Sequence, residues 1–207
     1  VNAAALIVST HNLSDANFLS GNYLFNPVSV NSAAILNQGS IQVHNGGVVT
    51  LIAHNINNVG SISAPGGTIG LLAGDTVTAP LSLQGSHPFI VGATSDGDAS
   101  IINSGTLSAA GGTIQLSALN SASSSNATTL TNNAVINNSG IIDVSSNTNN
   151  GGSIYTDSGV IGINQSSGTL LATSGQGLGG NITMLGDKVG LLANSQTNAS
   201  GALGGGT

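Results

Sequence analysis

Two short patterns recur along this chain, and both alternate with a period of two. The first reads I-x-N-x-G-x-[I/L]-x-[A/V]. It runs through Ile35, Asn37, Gly39, Ile41 and Val43, then through Ile56, Asn58, Gly60, Ile62 and Ala64. Two more copies are Ile101, Asn103, Gly105, Leu107, Ala109 and Ile136, Asn138, Gly140, Ile142, Val144. A decayed copy is Asn164, Ser166, Gly168, Leu170, Ala172. The second pattern follows each copy and reads G-G-x-[V/I]-x-[L/M]-x-[A/G]. Its members begin at Gly46-Gly47, Gly66-Gly67, Gly111-Gly112, Gly151-Gly152 and Gly179-Gly180. Period two is the signature of a β-strand with one face buried. Fixed-period self-similarity is the signature of a solenoid, in which a single repeat cannot bury its apolar side chains alone.

The spacing sets the architecture. Gly39 to Gly60 is 21 residues, the length of one coil built from three short strands. The expected fold is therefore all-β, a right-handed parallel β-helix of about 21-residue coils with loop insertions. Stacking at about 4.8 Å would place Ile41 over Ile62 and Leu51 over Leu71. Asn37, Asn58, Asn103 and Asn138 would form an inward ladder at one corner, bonding their own turns and each other. Gly39, Gly60, Gly105 and Gly140 would supply a bend at φ > 0. The 45-residue gap from Gly60 to Gly105 reads as two coils plus a small insertion. About nine coils would make a rod roughly 45 Å long.

One β-helical domain is expected over 1–193, with loops near 84–99, 119–133, 145–150 and 173–180. Residues 194–207 read as a Gly/Ser-rich tail or a final coil. Ile41, Val43, Val49, Leu51, Ile62, Ile69, Leu71, Leu107, Ile114, Leu116, Ile142, Ile154, Ile182 and Met184 are expected inside. Gln42, Thr50, Thr68, Thr113, Gln115 and Thr183 are expected to face water. Phe18, Tyr23 and Phe25 fall at a chain bend and read as a local core plug.

Composition removes several functions. Only 4% of residues are charged, and Lys188 is the single basic one. No basic patch can be assembled to neutralise nucleic-acid phosphates or to dock on anionic lipid. No apolar run approaches the roughly 20 residues that span a bilayer. Cysteine is absent, which says little about compartment for a repetitive core. Mean hydropathy is positive, against the low hydrophobicity and high charge of disordered chains. The chain opens at Val1 directly in patterned sequence and is read as a fragment or processed piece.

Candidate sites are few. Polysaccharide-cleaving β-helices need clustered carboxylates, usually with Arg, Lys or Ca²⁺. Here there is no Glu or Arg, and Asp15, Asp75, Asp96, Asp98, Asp143, Asp157 and Asp187 are scattered. No catalytic residue, cofactor or metal is assigned. Asp96-Gly97-Asp98 is the nearest approach to a Ca²⁺ site and otherwise reads as a turn between coils. His11, His44, His54 and His87 lack ligand spacing and read as solvated turn residues.

With the repeats laid out, the chain resembles the secretion domain and early shaft of the filamentous haemagglutinin family, the exoproteins of two-partner secretion. The stretches that carry the resemblance are Leu6-Ile7-Val8-Ser9-Thr10 and the series from Ser14 to Phe25. Val30 to Ala53 adds a coil, and Leu72 to Val77 is echoed at Leu185 to Val189. The resemblance implies a right-handed β-helix, export through an outer-membrane secretion partner, and adhesion. The expected localisation is secreted or at the bacterial cell surface, associated with the outer membrane. The expected partners are that transporter and a receptor or glycan on a host or neighbouring cell, with self-association through the β-helix ends. The family's Asn-Pro-Asn motif is not in this chain; the only Asn-Pro is Asn26-Pro27, in a different context. The alternative reading is a structural subunit or repeat of an extracellular filament or sheath that stacks end to end.

Overall fold

Alternating aliphatic side chains make each half-motif a short strand, and glycines between the strands let the chain turn. The computed structural model describes residues 2–28, 33–79, 88–93, 99–120 and 135–207. The first elements are β1 (Asn2–Ser9), α1 (Asp15–Leu19), β2 (Leu24–Phe25), β3 (Ala34–Asn37) and β4 (Ser40–Ile52). Then come β5 (Asn55–Asn58), β6 (Ser61–Ser63), β7 (Thr68–Ala73), β8 (Thr76–Thr78), β9 (Ile90–Gly92) and β10 (Ser100–Asn103). They are followed by β11 (Thr106–Ser108), β12 (Thr113–Ala118), β13 (Val135–Asn138), β14 (Ile141–Asp143) and β15 (Ser153–Asp157). The last are β16 (Ile163–Ser166), β17 (Thr169–Leu171), β18 (Asn181–Leu185), β19 (Lys188–Leu191) and β20 (Gln196–Asn198).

The fold is a parallel β-helix. One face is the six-stranded sheet β19-β16-β13-β10-β5-β3. The other two faces form one continuous sheet, β18-β15-β12-β7-β4-β6-β11-β14-β17-β20, with β1 added on β4. They are continuous because the 13-residue β4 runs through the corner, pairing with β6 at Ser40–Gln42 and with β7 at Val48–Ile52. In the register, Ile41 stands over Ile62 and Leu51 over Leu71. Ile62 continues to Leu107 and Leu71 to Leu116.

Of the inward set, Val43, Val49, Leu51, Ile62, Ile69, Leu71, Leu107, Ile114, Leu116, Ile142 and Ile154 are buried. Ile41, Ile182 and Met184 are only partly buried, packed against the margin of the same cluster. For Ile182 and Met184 the reason is position: β18 ends its sheet, and one side of these side chains has no further strand to pack on.

Three expectations are corrected. The 45-residue gap is one coil with a large insertion, because Asn58 pairs directly with Asn103 across β5 and β10. The inserted residues include β8 and β9; β8 pairs antiparallel with both β2 and β9 in a three-stranded sheet outside the helix. The stack on the six-stranded face is therefore six strands, about 24 Å from first to last at ~4.8 Å per step, in place of nine coils.

Secondly, Thr50, Thr68 and Gln115 are buried, not wet, and Thr113 is half-buried. They lie on the outer face of β4, β7 and β12, which the insertion covers. A second core forms there from Phe25, Ile52, Leu72, Val77, Ala79 and Phe89. Gln42 and Thr183 are exposed, as expected. Of the aromatic plug, Phe25 is buried in this second core and Tyr23 packs at its margin, while Phe18 is 57% exposed.

Thirdly, the ladder glycines do not bend at positive φ. They are needed for closeness: a Cβ on Gly60 would run into the carbonyl oxygen of Gly39, one coil away. Positive φ belongs instead to the first glycine of three of the five G-G pairs, Gly46, Gly66 and Gly111, with φ +61° at Gly66.

The C-terminal residues continue the stack. β20 pairs with β17, and Ser174 bridges both Ser146 and Gly201. Residues 145–150, 173–180 and 199–206 thus lie in register with one another. Of the loops expected near 84–99 and 119–133, residues 84–87, 94–98 and 121–133 lie outside the described residues.

Candidate functional site

The Asn ladder runs down the inside of one corner. Asn37 Nδ2 donates to Asn58 Oδ1, Asn58 Nδ2 to Asn103 Oδ1, and Asn103 Nδ2 to Asn138 Oδ1, each at 2.7 Å. Asn138 Nδ2 passes the ladder to Ser166 Oγ at 3.1 Å. The same amides also reach their own turns, at the carbonyl oxygens of Gly60, Gly105 and Gly140. Asn58, Asn103 and Asn138 each donate to one coil and accept from the other, which is how a buried Asn avoids an unmade hydrogen bond. These residues hold coils together and do not face a ligand.

A cluster of titratable groups with built geometry lies elsewhere, where the N-terminal segment crosses the first coils. After β1 the chain bends at His11, and Asn12 and Asn26 pair with each other across the segment through two backbone hydrogen bonds. Ser14 caps α1 by accepting the Asn17 N–H. Gly21 turns the chain at φ +73°, and β2 joins β8. This path lays His11 against His54, which follows β4. Their ring centroids are 5.2 Å apart, edge to face. His54 Nε2 lies 3.0 Å from Asp75 Oδ1 in the turn between β7 and β8. An ionised carboxylate only accepts, so the ring donates.

His11 is 7% exposed and His54 5%, so neither is the solvated turn residue expected from sequence. Both nitrogens of His11 are buried with no hydrogen-bond partner. Burial, and then the neighbouring His54, hold its pKa below the ordinary imidazole value, against a smaller opposing pull from Asp75. The hydroxyls beside the cluster point to backbone: Ser9 Oγ donates to the His11 carbonyl and Thr10 Oγ1 to that of Ile52. What this cluster can do chemically is take up a proton at a cost. Among the described residues no three His, Cys, Asp or Glu side chains are arranged to hold a metal ion.

A signal for half of this cluster was present in the sequence. His54 and Asp75 are 21 residues apart, one more than the β4–β7 register offset, so the repeat brings them to neighbouring positions on adjacent coils. Nothing in the repeat points to His11, because it lies in the segment that precedes the regular coils.

The remaining candidates scatter. Asp96, Asp98 and His87 lie outside the described residues. His44 is exposed on β4. Asp143 Oδ1 accepts the Ser145 N–H, and Asp157 accepts the Tyr155 hydroxyl and the Gly159 N–H. Burial first, and Asp157 second, raise the Tyr155 pKa. Lys188 and Asp187 form an exposed pair at 3.8 Å. A shallow groove beside them is lined by Leu119, Asp157, Val160, Leu185 and Asp187.

No protein-family model and no curated protein matches this chain. Among solved structures it is similar to the crystal structure of the HMW1 secretion domain from Haemophilus influenzae, with a TM-score of 0.79 and 27% sequence identity. The likeness covers 97% of this chain and 49% of that one, so the chain spans about half the length of the solved neighbour.

Proposed function

We propose that this chain is a segment of a secreted bacterial exoprotein, a β-helical secretion-domain piece that begins a rigid extracellular shaft. It would be exported through an outer-membrane partner, in the manner of two-partner secretion, and would serve in adhesion without catalysis. The observation that carries this reading is the likeness to a secretion domain along nearly the whole chain. A stacked helix whose inward rows are aliphatic and Asn-laddered supports the mechanical half of it, because each coil is rigidly registered on the next. The adhesive half rests on the sequence resemblance to filamentous haemagglutinins and on the surface: outward rows such as Ser40-Ser61-Thr106 and Gln42-Ser63-Ser108 are hydroxyl- and amide-rich and nearly uncharged. Such rows suit neutral partners such as glycans better than charged ones.

Export is tested by expressing the full natural protein in a Gram-negative host, with and without the outer-membrane transporter encoded beside it. The protein should reach the medium or cell surface only when the transporter is present. Equal export without the transporter would overturn the secretion reading. Beads coated with the purified chain should attach to cultured cells or to a glycan array, and failure to exceed uncoated beads would remove adhesion. Turnover of an acidic polysaccharide by the chain would contradict the absence of catalysis.

One observation favours the filament alternative. The last coils expose Val189, Leu191, Leu192 and Leu203 beside the terminal strands β18, β19 and β20. Unpaired strand edges flanked by apolar side chains invite another coil.

A further inference from the structure

The N-terminal segment is held on the first coils by a small set of contacts. Among the described residues these include the backbone bonds from Thr10 N–H to the Ile52 carbonyl and from Ala79 N–H to the Tyr23 carbonyl, the short β2–β8 pairing, Leu13, Tyr23 and Phe25 in or against the second core, and the histidine cluster. Every contact but the last is indifferent to pH. We propose that His11, His54 and Asp75 form a proton-operated latch that seats residues 10–28 on the β-helix in neutral solution and releases them in mildly acid solution.

The argument begins with His11. The neutral ring fills its place as a flat, mostly apolar body, packed edge-on to His54. The neutral ring already carries one N–H, and protonation would add a second N–H and a full charge where the described residues offer neither nitrogen a partner. The titratable groups facing His11 are His54, from the turn after β4, and Asp75, from the turn between β7 and β8. Asp75 is already engaged by His54 Nε2, so its charge is shared. A proton on His11 would therefore have neither a hydrogen bond nor an undivided counter-charge.

The direction follows from linkage. The seated His11 has its pKa below the free imidazole value of 6.5, so the released segment binds the proton more readily. Seating is fully stabilised above pH 6.5 and weakens as pH falls below it. For one proton the loss approaches about tenfold in the seating equilibrium per pH unit within the window. The coils beyond β7 have no such cluster among the described residues and have no reason to respond.

Hydrogen exchange resolved by mass spectrometry reads this directly, at about pH 7.5 and about pH 5.5, the span over which imidazoles titrate, with rates corrected for intrinsic chemistry. Peptides covering 12–26 should lose protection at the lower pH, by up to about tenfold for a single proton, while peptides covering 101–118 keep theirs. His11→Phe keeps a ring in place and removes the proton site, so its 12–26 peptides should be equally protected at both pH values. His44→Ala, on the exposed histidine, should retain the wild-type response. Equal protection of the wild-type segment at both pH values overturns the latch. So does an unchanged pH response in His11→Phe, or parallel loosening of 12–26 and 101–118. Should His11→Phe not fold, the His11 ring proton followed by NMR in the wild-type chain decides: its midpoint must coincide with segment release, and separate midpoints overturn the proposal.

Discussion

At the residue scale the coils are kept in register by side chains that are small or amide-bearing, not by the aliphatic core alone. Leu and Ile rows would tolerate a slipped coil in energy terms, since aliphatic contact is non-directional. An Asn that must donate upward and accept from below tolerates none. Asn103→Ala should therefore cost more than its size suggests. It removes the acceptor of Asn58 Nδ2 and the donor to Asn138 Oδ1, both buried, and about 2–5 kcal/mol of stability should be lost at 1–3 kcal/mol per orphaned group. Asn37→Ala, at the end of the ladder with a single rung, should cost about half as much. Urea unfolding of the two variants checks this, and equal losses would mean that the ladder is not the registering device. Gly60→Ala tests the companion feature. Its methyl group would meet the Gly39 backbone, and a loss of about 3 kcal/mol is expected, at the upper end of overpacking costs.

At the element scale, what distinguishes this chain from a plain solenoid is the cover on one outer face. The three-stranded sheet β2-β8-β9 is stitched to the helix by Gln115. Its Oε1 accepts the Phe89 N–H, and its Nε2 donates to the Phe89 carbonyl and to Ser117 Oγ. Phe89 in turn lies on Gly70, where any side chain would collide with its ring. Gln115→Ala would orphan both backbone groups of Phe89, so the amides near β9 should exchange faster by about tenfold or more, with little change in β13 or β14. Unchanged exchange at β9 would mean the cover is held by its apolar contacts alone. The cover was partly legible in the sequence. Leu51-Ile52 and Leu71-Leu72 break the alternation with a second apolar residue, and a strand apolar on both faces is buried on both. The repeat predicted the coils, the inward rows and the Asn corner because each depends on local period alone. It failed at the 45-residue gap because the insertion carries its own strands, and spacing cannot distinguish an extra coil from an inserted sheet. It failed at His11 because that residue meets its partners only through the non-repetitive path of the N-terminal segment.

At the scale of the whole molecule, the two ends of the stack differ. At one end β1 lies along β4 with Leu6 packed against the core, while Ile7 and Val8 are exposed. At the other, β18, β19 and β20 are terminal strands, and Leu185, Val189, Leu191, Leu192 and Leu203 are all exposed. A net charge of −6 spread over 207 residues gives weak repulsion between molecules. These features together favour association of the purified chain through its C-terminal coils. Sedimentation velocity should show a concentration-dependent shift from monomer toward dimer and larger species. Leu191→Lys, which sets a charge on the terminal strand β19, should move the distribution back toward monomer without lowering the melting temperature, since that side chain is already 55% exposed. A chain that stays monomeric at every concentration would leave the filament alternative without support. Association that ignores Leu191→Lys would place the contact on another surface.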